Sequence, residues 1–163
     1  GHTVEIITTD AEGRLVLADS IAYAARVLNP EVIIDIATLT GACIVALGER
    51  VGAIMGNREE LARKIQEAAM EVGERFWPFP LWDFYFDALK SDVADFKNTG
   101  GRLGGAIIAG AFLKRFVPDG IAWVHLDIAG PAWTDRELPA TPKGATGFGV
   151  RTFVEVVRRW PMT

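Results

Sequence analysis

Hydrophobic residues along the chain alternate between short continuous runs and helical stripes, and this alternation predicts the fold. Runs that are apolar or rich in β-branched residues predict strands, the last two of them buried, at 4–9, 32–34 and 121–126. Segments with apolar positions three and four residues apart, or apolar almost all round, predict helices at 14–28, 58–72, 106–116 and 150–160. Because strands alternate with helices, we expect an α/β three-layer sandwich with a mainly parallel sheet flanked by helices.

Turn residues separate these elements. Asn29-Pro30 ends the first helix, a glycine-rich turn at 98–105 precedes the apolar helix, and the polar segment 134–147 predicts a loop. The aromatic stretch at 76–86 has two interpretations, a packed surface loop with a short helix or a subunit interface. On the last helix, the predicted apolar side carries Phe153, Val154, Val157 and Trp160.

The composition of the chain excludes some classes of protein. The 163 residues fit one domain, half of them are hydrophobic, and the net charge of −4 argues against a general nucleic-acid binder. Cys43 is the only cysteine, which rules out an intrachain disulfide and is compatible with a reducing cytoplasm. No apolar run reaches the ~18 residues that span a membrane, and no signal peptide is visible. We therefore expect a cytoplasmic protein without membrane or nucleic-acid partners.

The segment Asp10-Ala11-Glu12-Gly13-Arg14 follows the first predicted strand and carries the candidate chemistry. If the extended geometry continues, side chains at alternate positions share a face, so Asp10, Glu12 and Arg14 converge. Two converging carboxylates repel each other unless a cation lies between them. A divalent metal would serve both, and Arg14 alone is the other candidate. The alternative is a strand-end loop with a surface ion pair from Asp10 or Glu12 to Arg14.

Two later strands both lead into the tripeptide Asp-Ile-Ala, at 35–37 and 127–129. We interpret these as two equivalent edges of a sheet that meet one cleft. Ligand sites of parallel sheets gather at the carboxyl ends of the strands. Asp10, Thr38 and Ala129 are all placed at such ends, which favours a site there.

Two other features are ambiguous. His125 and Asp127 share a face of their strand, which would suit a proton relay, although a hydrogen-bonded core pair or a loop cap is favoured. The glycine-rich turn at 98–105 would suit a phosphate cradle, but without a Walker pattern a flexible turn into the helix is favoured. Neither feature identifies a function by itself.

Four segments in order resemble the leucyl (cytosol) aminopeptidases. Residues 9–15 (T-D-A-E-G-R-L) resemble the family signature N-T-D-A-E-G-R-L, and 35–42, 123–130 and 143–147 resemble three further family segments. The sequence departs from the signature at Thr8, where the family usually has Asn. Since Thr keeps a hydrogen-bonding side chain, we expect the turn to survive.

The resemblance implies hydrolysis of the first peptide bond of peptides with a free amino terminus, at two adjacent divalent metals. By this resemblance Asp10 ligates one metal and Glu12 bridges both. Arg14, with Gly13 and Leu39, binds a bicarbonate ion that acts as general base, and a guanidinium suits a planar oxyanion. The ligands suit zinc or manganese, and magnesium is also compatible.

The resemblance also implies a substrate pocket and an assembly. Leu39 would contact substrate through its backbone, and the pocket for the first side chain would be lined by Thr38, Gly41, Ala129 and Ala132. A strand-end role for Thr38, and core packing for the two alanines, remain open. The expected partners are peptide substrates and further copies of the chain, in a hexamer.

The resemblance covers essentially all of residues 1–163 and implies the C-terminal part of a catalytic domain. The family's N-terminal domain and first part of the catalytic domain, with a Lys and two Asp ligands and a catalytic Lys, are expected to be absent. The lysines of this chain are not expected to replace them: Lys64, Lys90, Lys97, Lys114 and Lys143. We therefore expect the isolated chain to be incomplete and inactive. The alternatives are an inert structural or binding module and, on generic topology alone, a nucleotide-binding domain.

Overall fold

A computed structural model describes residues 1–139 and 141–161. The strands are β1 (Val4–Glu5), β2 (Val32–Ala37), β3 (Gly52–Gly56), β4 (Phe76–Pro78), β5 (Phe96–Lys97), β6 (Ala122–Asp127), β7 (Trp133–Thr134) and β8 (Gly144–Ala145). The α-helices are α1 (Gly13–Leu28), α2 (Gly41–Leu47), α3 (Glu59–Glu71), α4 (Gly105–Lys114) and α5 (Val150–Arg158). Short 3₁₀ helices lie at Thr9–Ala11 and Asp83–Leu89.

The central sheet has four strands in the order β2-β6-β3-β4. The β2–β6 and β3–β4 pairings are parallel and the β3–β6 pairing is antiparallel, so the prediction of a mainly parallel sheet is confirmed. The apolar residues 32–34 were predicted to form a buried strand, and this prediction is wrong. Among the described residues β2 pairs only with β6, and it is half-buried along its length. An edge strand has no neighbour on its outer side to cover it.

Helices cover both faces of this sheet, which confirms the three layers. On one face Val124 and Leu126 of β6 pack against Ile65 of α3. On the other face Trp123 of the same strand packs against Phe112 of α4. Alternate residues of a strand point to opposite faces, so one strand contributes to two cores. Each of these fully buried side chains contributes roughly 1.5–3 kcal/mol relative to an exposed position.

Three predicted helices are confirmed close to their predicted bounds. Asn29 ends α1 in the left-handed conformation, with φ of 45°, directly before Pro30. The amphipathic α3 buries its apolar stripe, which includes Leu61 and Ile65. Nearly all of α4 is buried, as its apolar composition predicts.

The apolar side predicted for the last helix is only partly confirmed, since Phe153 is half-buried and packs against the core while other members of that side are exposed. The buried residues of α5 are Thr152 and Val156, whereas Val154 and Val157 are 55% and 71% exposed. The cause is the buried carboxylate of Glu74, which accepts hydrogen bonds from the Thr152 amide at 2.9 Å and the Thr152 hydroxyl at 2.6 Å. This polar contact fixes which side of α5 faces the core.

The aromatic stretch at 76–86 forms β4, a connection and the start of the Asp83–Leu89 3₁₀ helix, as the surface-loop interpretation expects. Phe76 is buried, while the exposed large aromatics there are Trp77, Trp82 and Phe84.

In the predicted loop 134–147, residue 140 lies outside the described residues. The strands β7 and β8 pair with each other on either side of that residue. Among the described residues, no helix is both long and apolar enough to cross a bilayer.

Candidate functional site

The strand predicted at 4–9 is shorter than expected, and the extended geometry that would bring Asp10, Glu12 and Arg14 onto one face does not continue past it. β1 ends at Glu5, the Thr8 hydroxyl accepts a hydrogen bond from the Asp10 amide at 3.3 Å, and a 3₁₀ turn follows at once. Glu12 already has helical backbone angles and precedes α1. Asp10, Glu12 and Arg14 therefore do not share a strand face. The turn expected to survive the Asn-to-Thr departure is present, since the Thr8 side chain caps it.

A cavity of about 740 Å³ nevertheless brings several predicted site residues together. Asp10 and Arg14 line it, and so do Leu39 and Gly41 from the segment after β2. Residues of the glycine-rich turn also line it: Thr99, Gly101, Arg102, Gly104 and Gly105. The other predicted site residues do not line this cavity: Glu12, Gly13, Thr38, Ala129 and Ala132.

The carboxylates of Asp10 and Glu12 are solvent-exposed. Within residues 1–139 and 141–161, neither carboxylate forms an ion pair or accepts a hydrogen bond, and Arg14 forms no ion pair. The interpretation as a surface ion pair between these groups is therefore wrong. Unpaired carboxylates, of which that of Asp10 lines the cavity, are chemically suited to a hard or borderline cation.

Arg14 is only 8% exposed. Its Nη1 donates a hydrogen bond to the Asn98 carbonyl at 2.9 Å, and no other described residue accepts one from this guanidinium. Burial lowers the pKa of Arg14 below its ordinary value, and the charge of Asp127 acts in the opposite direction. A guanidinium has five N–H donors, so most of them are available to a planar oxyanion.

Asn98 is a residue whose role the sequence did not reveal. It is fully buried, its Oδ1 accepts from the Ile7 amide at 2.9 Å, and its Nδ2 donates to the Thr8 carbonyl at 2.7 Å. It thus holds both the segment that leads into Asp10 and, through its carbonyl, Arg14. The only local signal was an Asn directly before a glycine-rich turn.

The carboxyl ends of β2 and β6 lie side by side, with Ala37 opposite Asp127. The two Asp-Ile-Ala tripeptides are therefore offset by two residues rather than equivalent. Asp127 Oδ1 accepts from the amides of Leu39 and Ala129, each at 3.1 Å. The loop-cap interpretation of Asp127 is confirmed.

His125 forms a buried core pair with a residue of the neighbouring strand. Its Nδ1 lies 2.5 Å from Asp35 Oδ1, and Trp123 Nε1 donates to Asp35 Oδ2 at 2.6 Å. In the described part of the chain His125 makes no hydrogen bond to Asp127, so a relay between these two residues is wrong. The buried His125 Nε2 has no hydrogen-bond partner there.

Cys43 lies fully buried in α2, and its thiol contacts the Asp127 carbonyl at 3.6 Å. Burial, assisted by the charge of Asp127, raises the pKa of this thiol from 9.0 to about 12. Between these values the unfolded thiol has lost its proton and the folded thiol has kept it. The stabilisation is therefore complete below pH 9 and falls as the pH rises towards 12.

We accordingly expect the free energy of unfolding of the chain to fall with pH above 9 more steeply than that of a Cys43→Ala variant. The difference should be about 1.4 kcal/mol for each pH unit. Urea unfolding of both proteins at pH 8 to 11 measures it. Parallel pH curves for the two proteins would contradict the assignment.

The chain matches a family model described as the catalytic domain of the cytosol aminopeptidase family over residues 1–154. It belongs to this family. The chain is 60% identical over 161 residues to a probable cytosol aminopeptidase of Syntrophobacter fumaroxidans, covering 99% of the chain and 32% of the relative. It is 53% identical to one of Oleidesulfovibrio alaskensis, covering 96% of the chain and 30% of that relative. The chain thus spans about a third of these relatives.

Solved structures agree with the family assignment. A tomato leucine aminopeptidase mutant superposes with a TM-score of 0.89 at 49% identity, covering 95% of the chain and 30% of that protein. The bottromycin maturation enzyme BotP in complex with Mn superposes with a TM-score of 0.91 at 43% identity, covering 97% and 35%. The fold of this chain is therefore that of the matching parts of these family members.

The metal-ligand set within the chain is small. Across residues 1–139 and 141–161, no group of three or more His, Cys, Asp and Glu side chains is arranged to hold a metal ion. Structural and catalytic zinc sites use at least three protein ligands. Within the described residues, Asp10 and Glu12 therefore do not form a zinc site by themselves.

Proposed function

We propose that this chain is the C-terminal portion of a metallo-aminopeptidase catalytic domain and provides one side of its active site. The observation that supports this is the cavity shared by the unpaired Asp10 carboxylate and the buried Arg14 guanidinium, in a member of the cytosol aminopeptidase family. Its substrates would be peptides with a free amino terminus. The complete protein would be a cytoplasmic homo-oligomer, a hexamer by family resemblance.

In this proposal Asp10 would help to hold one divalent ion, and Glu12 would help to hold both, as the family resemblance implies. When bound, two divalent ions supply an activated water and polarise the scissile carbonyl, and bicarbonate supplies a base. Zinc, manganese and magnesium all suit such carboxylates. The relative BotP, observed with Mn, supports manganese as the first ion to use in assays.

Arg14 would hold the bicarbonate, with the backbone of Gly13 and Leu39 beside it. Its burial matters, because a charge-assisted hydrogen bond is stronger where water is excluded. Asn98 holds one end of the guanidinium, so its remaining donors face a defined direction. Because Asp10 and Glu12 make no ion pair with Arg14, the guanidinium is free for an anion.

On the substrate side, Leu39 and Gly41 line the cavity and would contact the peptide. Thr38, Ala129 and Ala132 would complete the pocket for the first side chain. They adjoin the same strand ends without lining the cavity of this chain alone. Small residues at these positions leave room for a bulky apolar side chain such as leucine.

The test uses a chimera in which this chain replaces the matching segment of the Syntrophobacter fumaroxidans relative. We expect the chimera to hydrolyse leucine p-nitroanilide with Mn²⁺, to lose activity with EDTA and to regain it with added Mn²⁺. The isolated chain should be inactive under the same conditions. Light scattering measures whether the chimera forms the hexamer.

An inert structural or binding module is the other candidate function, favoured by the small ligand set of the chain. A chimera with the parent's circular dichroism and oligomeric state but no activity would support the module and contradict the proposal. Robust activity of the isolated chain would contradict the module and also the incomplete-site part of the proposal.

A further inference from the structure

We propose that Asp127 is a positioning residue for peptide hydrolysis: it sets the location of the cavity wall formed after β2 relative to Asp10 and Arg14. This inference rests on the proposed function. Asp127 is fully buried and lies at the carboxyl end of β6, the strand next to β2. Nothing in the sequence pattern distinguished it from a simple loop cap.

One carboxylate holds two separate segments, those that follow β2 and β6. Its Oδ1 accepts from the amide of Leu39, which follows β2, and from the amide of Ala129, which follows β6, each at 3.1 Å. Its Oδ2 accepts from the Thr40 hydroxyl at 2.7 Å. Thr40 Oγ1 in turn accepts from the Cys43 amide at 3.0 Å, at the start of α2. Two strand ends and a helix start are thereby joined at a single side chain.

Such an arrangement is stiff for a physical reason. Burying a carboxylate is costly unless its oxygens are hydrogen-bonded, and bonds to a charged acceptor are roughly twice as strong as neutral ones. A loop that moved away would leave the buried charge without a partner. The loops at 38–41 and 128–130 are therefore tied to the sheet rather than free to move separately.

The consequence for the substrate concerns Leu39. Its amide is engaged by Asp127, and no described residue donates to its carbonyl, so the carbonyl is the backbone group left for a peptide N–H. Leu39 and Gly41 line the cavity together with Asp10 and Arg14. A displacement of this wall by about 1 Å can cost about 100-fold in rate.

Glu74 offers a matched control. Like Asp127 it is a buried carboxylate that accepts from a backbone amide and a threonine hydroxyl, those of Thr152 at 2.9 and 2.6 Å. It anchors α5 and does not line the cavity. Glu74 differs in that its Oε1 also pairs with Arg151 Nε at 3.4 Å. Glu74→Gln and Asp127→Asn both remove a buried, hydrogen-bonded carboxylate, and only the second should alter the site.

The measurements use the chimera defined above, with kinetic constants expressed per folded molecule. Asp127→Asn keeps one acceptor oxygen and should lower kcat/KM about 10-fold, and Asp127→Ala should lower it about 100-fold, mostly in kcat. Thr40→Val should resemble Asp127→Asn, and Thr40→Ser, which keeps the hydroxyl, should restore activity. Glu74→Gln should lower the unfolding midpoint but leave kcat/KM within about two-fold.

Hydrogen exchange gives a readout that does not depend on activity. Peptides covering 38–41 and 128–130 should exchange faster in Asp127→Asn and Thr40→Val than in wild type. Their exchange rates in Glu74→Gln should equal those of wild type. If Asp127→Ala does not fold, comparison of Thr40→Val with Thr40→Ser still tests the positioning role.

The outcomes separate this inference from the proposed function. An inactive but folded wild-type chimera contradicts the proposed function. An active chimera in which Asp127→Asn and Thr40→Val keep wild-type kcat/KM overturns the positioning role. Equal losses of kcat/KM in Asp127→Asn and Glu74→Gln would also overturn it, because they would reduce Asp127 to a stability residue.

Discussion

Arg14→Ala in the chimera is expected to lower kcat by about 100-fold or more while Mn²⁺ occupancy stays close to that of wild type. The reason is that Arg14 is the buried cation of the cavity and would hold the base, whose removal typically costs 10²–10⁴-fold. Asp10 and Glu12, the proposed metal ligands, form no hydrogen bond or ion pair with its guanidinium, so metal binding should survive. Initial rates on leucine p-nitroanilide and metal analysis of the purified protein measure both quantities.

Arg26→Ala is the matched control for Arg14→Ala. Arg26 lies on the same helix α1 but is exposed and away from the cavity, so its loss should leave kcat and stability nearly unchanged. Arg14→Lys, which keeps the charge but not the planar fork, should fall between wild type and Arg14→Ala. Unchanged turnover in Arg14→Ala would remove this residue from the mechanism.

Gly130→Ala is expected to destabilise the folded protein by about 3 kcal/mol. A Cβ at this position would lie 2.2 Å from the carbonyl oxygen of Gly48, at the end of α2. Both contacting groups are fixed by the backbone, so no rotamer change relieves the overlap. The loop that carries Ala129 must move, or the end of α2 must.

The unfolding midpoint of the chimera in urea measures this effect, with Gly41→Ala as its control. A Cβ at Gly41, the first residue of α2, has open space within 4 Å and no positive φ. Alanine there should leave stability unchanged or raise it by up to about 1 kcal/mol. A Gly130→Ala protein as stable as Gly41→Ala would show that the contact with Gly48 is not rigid.

The sequence predicted α1, α3, α4, α5 and the three layers because their signals are local, whereas α2 was not predicted. The stripe of α3 and the all-round apolar α4 identify a surface and a buried helix from residues within a few turns. Asn29-Pro30 ended α1 because the pair itself disfavours helix. Each of these elements depends on neighbours only a few positions away.

The site geometry could not be predicted in the same way. The chain is not extended through Asp10, because the hydroxyl of Thr8 caps a 3₁₀ turn there. The alternation of hydrophobic and polar residues carries no signal for such a cap. Asn98 contacts Thr8, 90 positions earlier, and Asp127 contacts Leu39, 88 positions earlier. No pattern within a short window contains both members of such a pair.

By itself, the sequence determined the α/β class, the kinds of chemical groups at 10–14 and the resemblance to the aminopeptidases that the family match confirmed. Only the tertiary structure decided that Arg14 is buried on Asn98 rather than paired with a carboxylate. It also decided that Glu74 orients α5 and that Asp127 joins two loops. The physical reason is that element type follows local sequence, whereas burial and hydrogen-bond partners depend on distant segments meeting at one sheet edge.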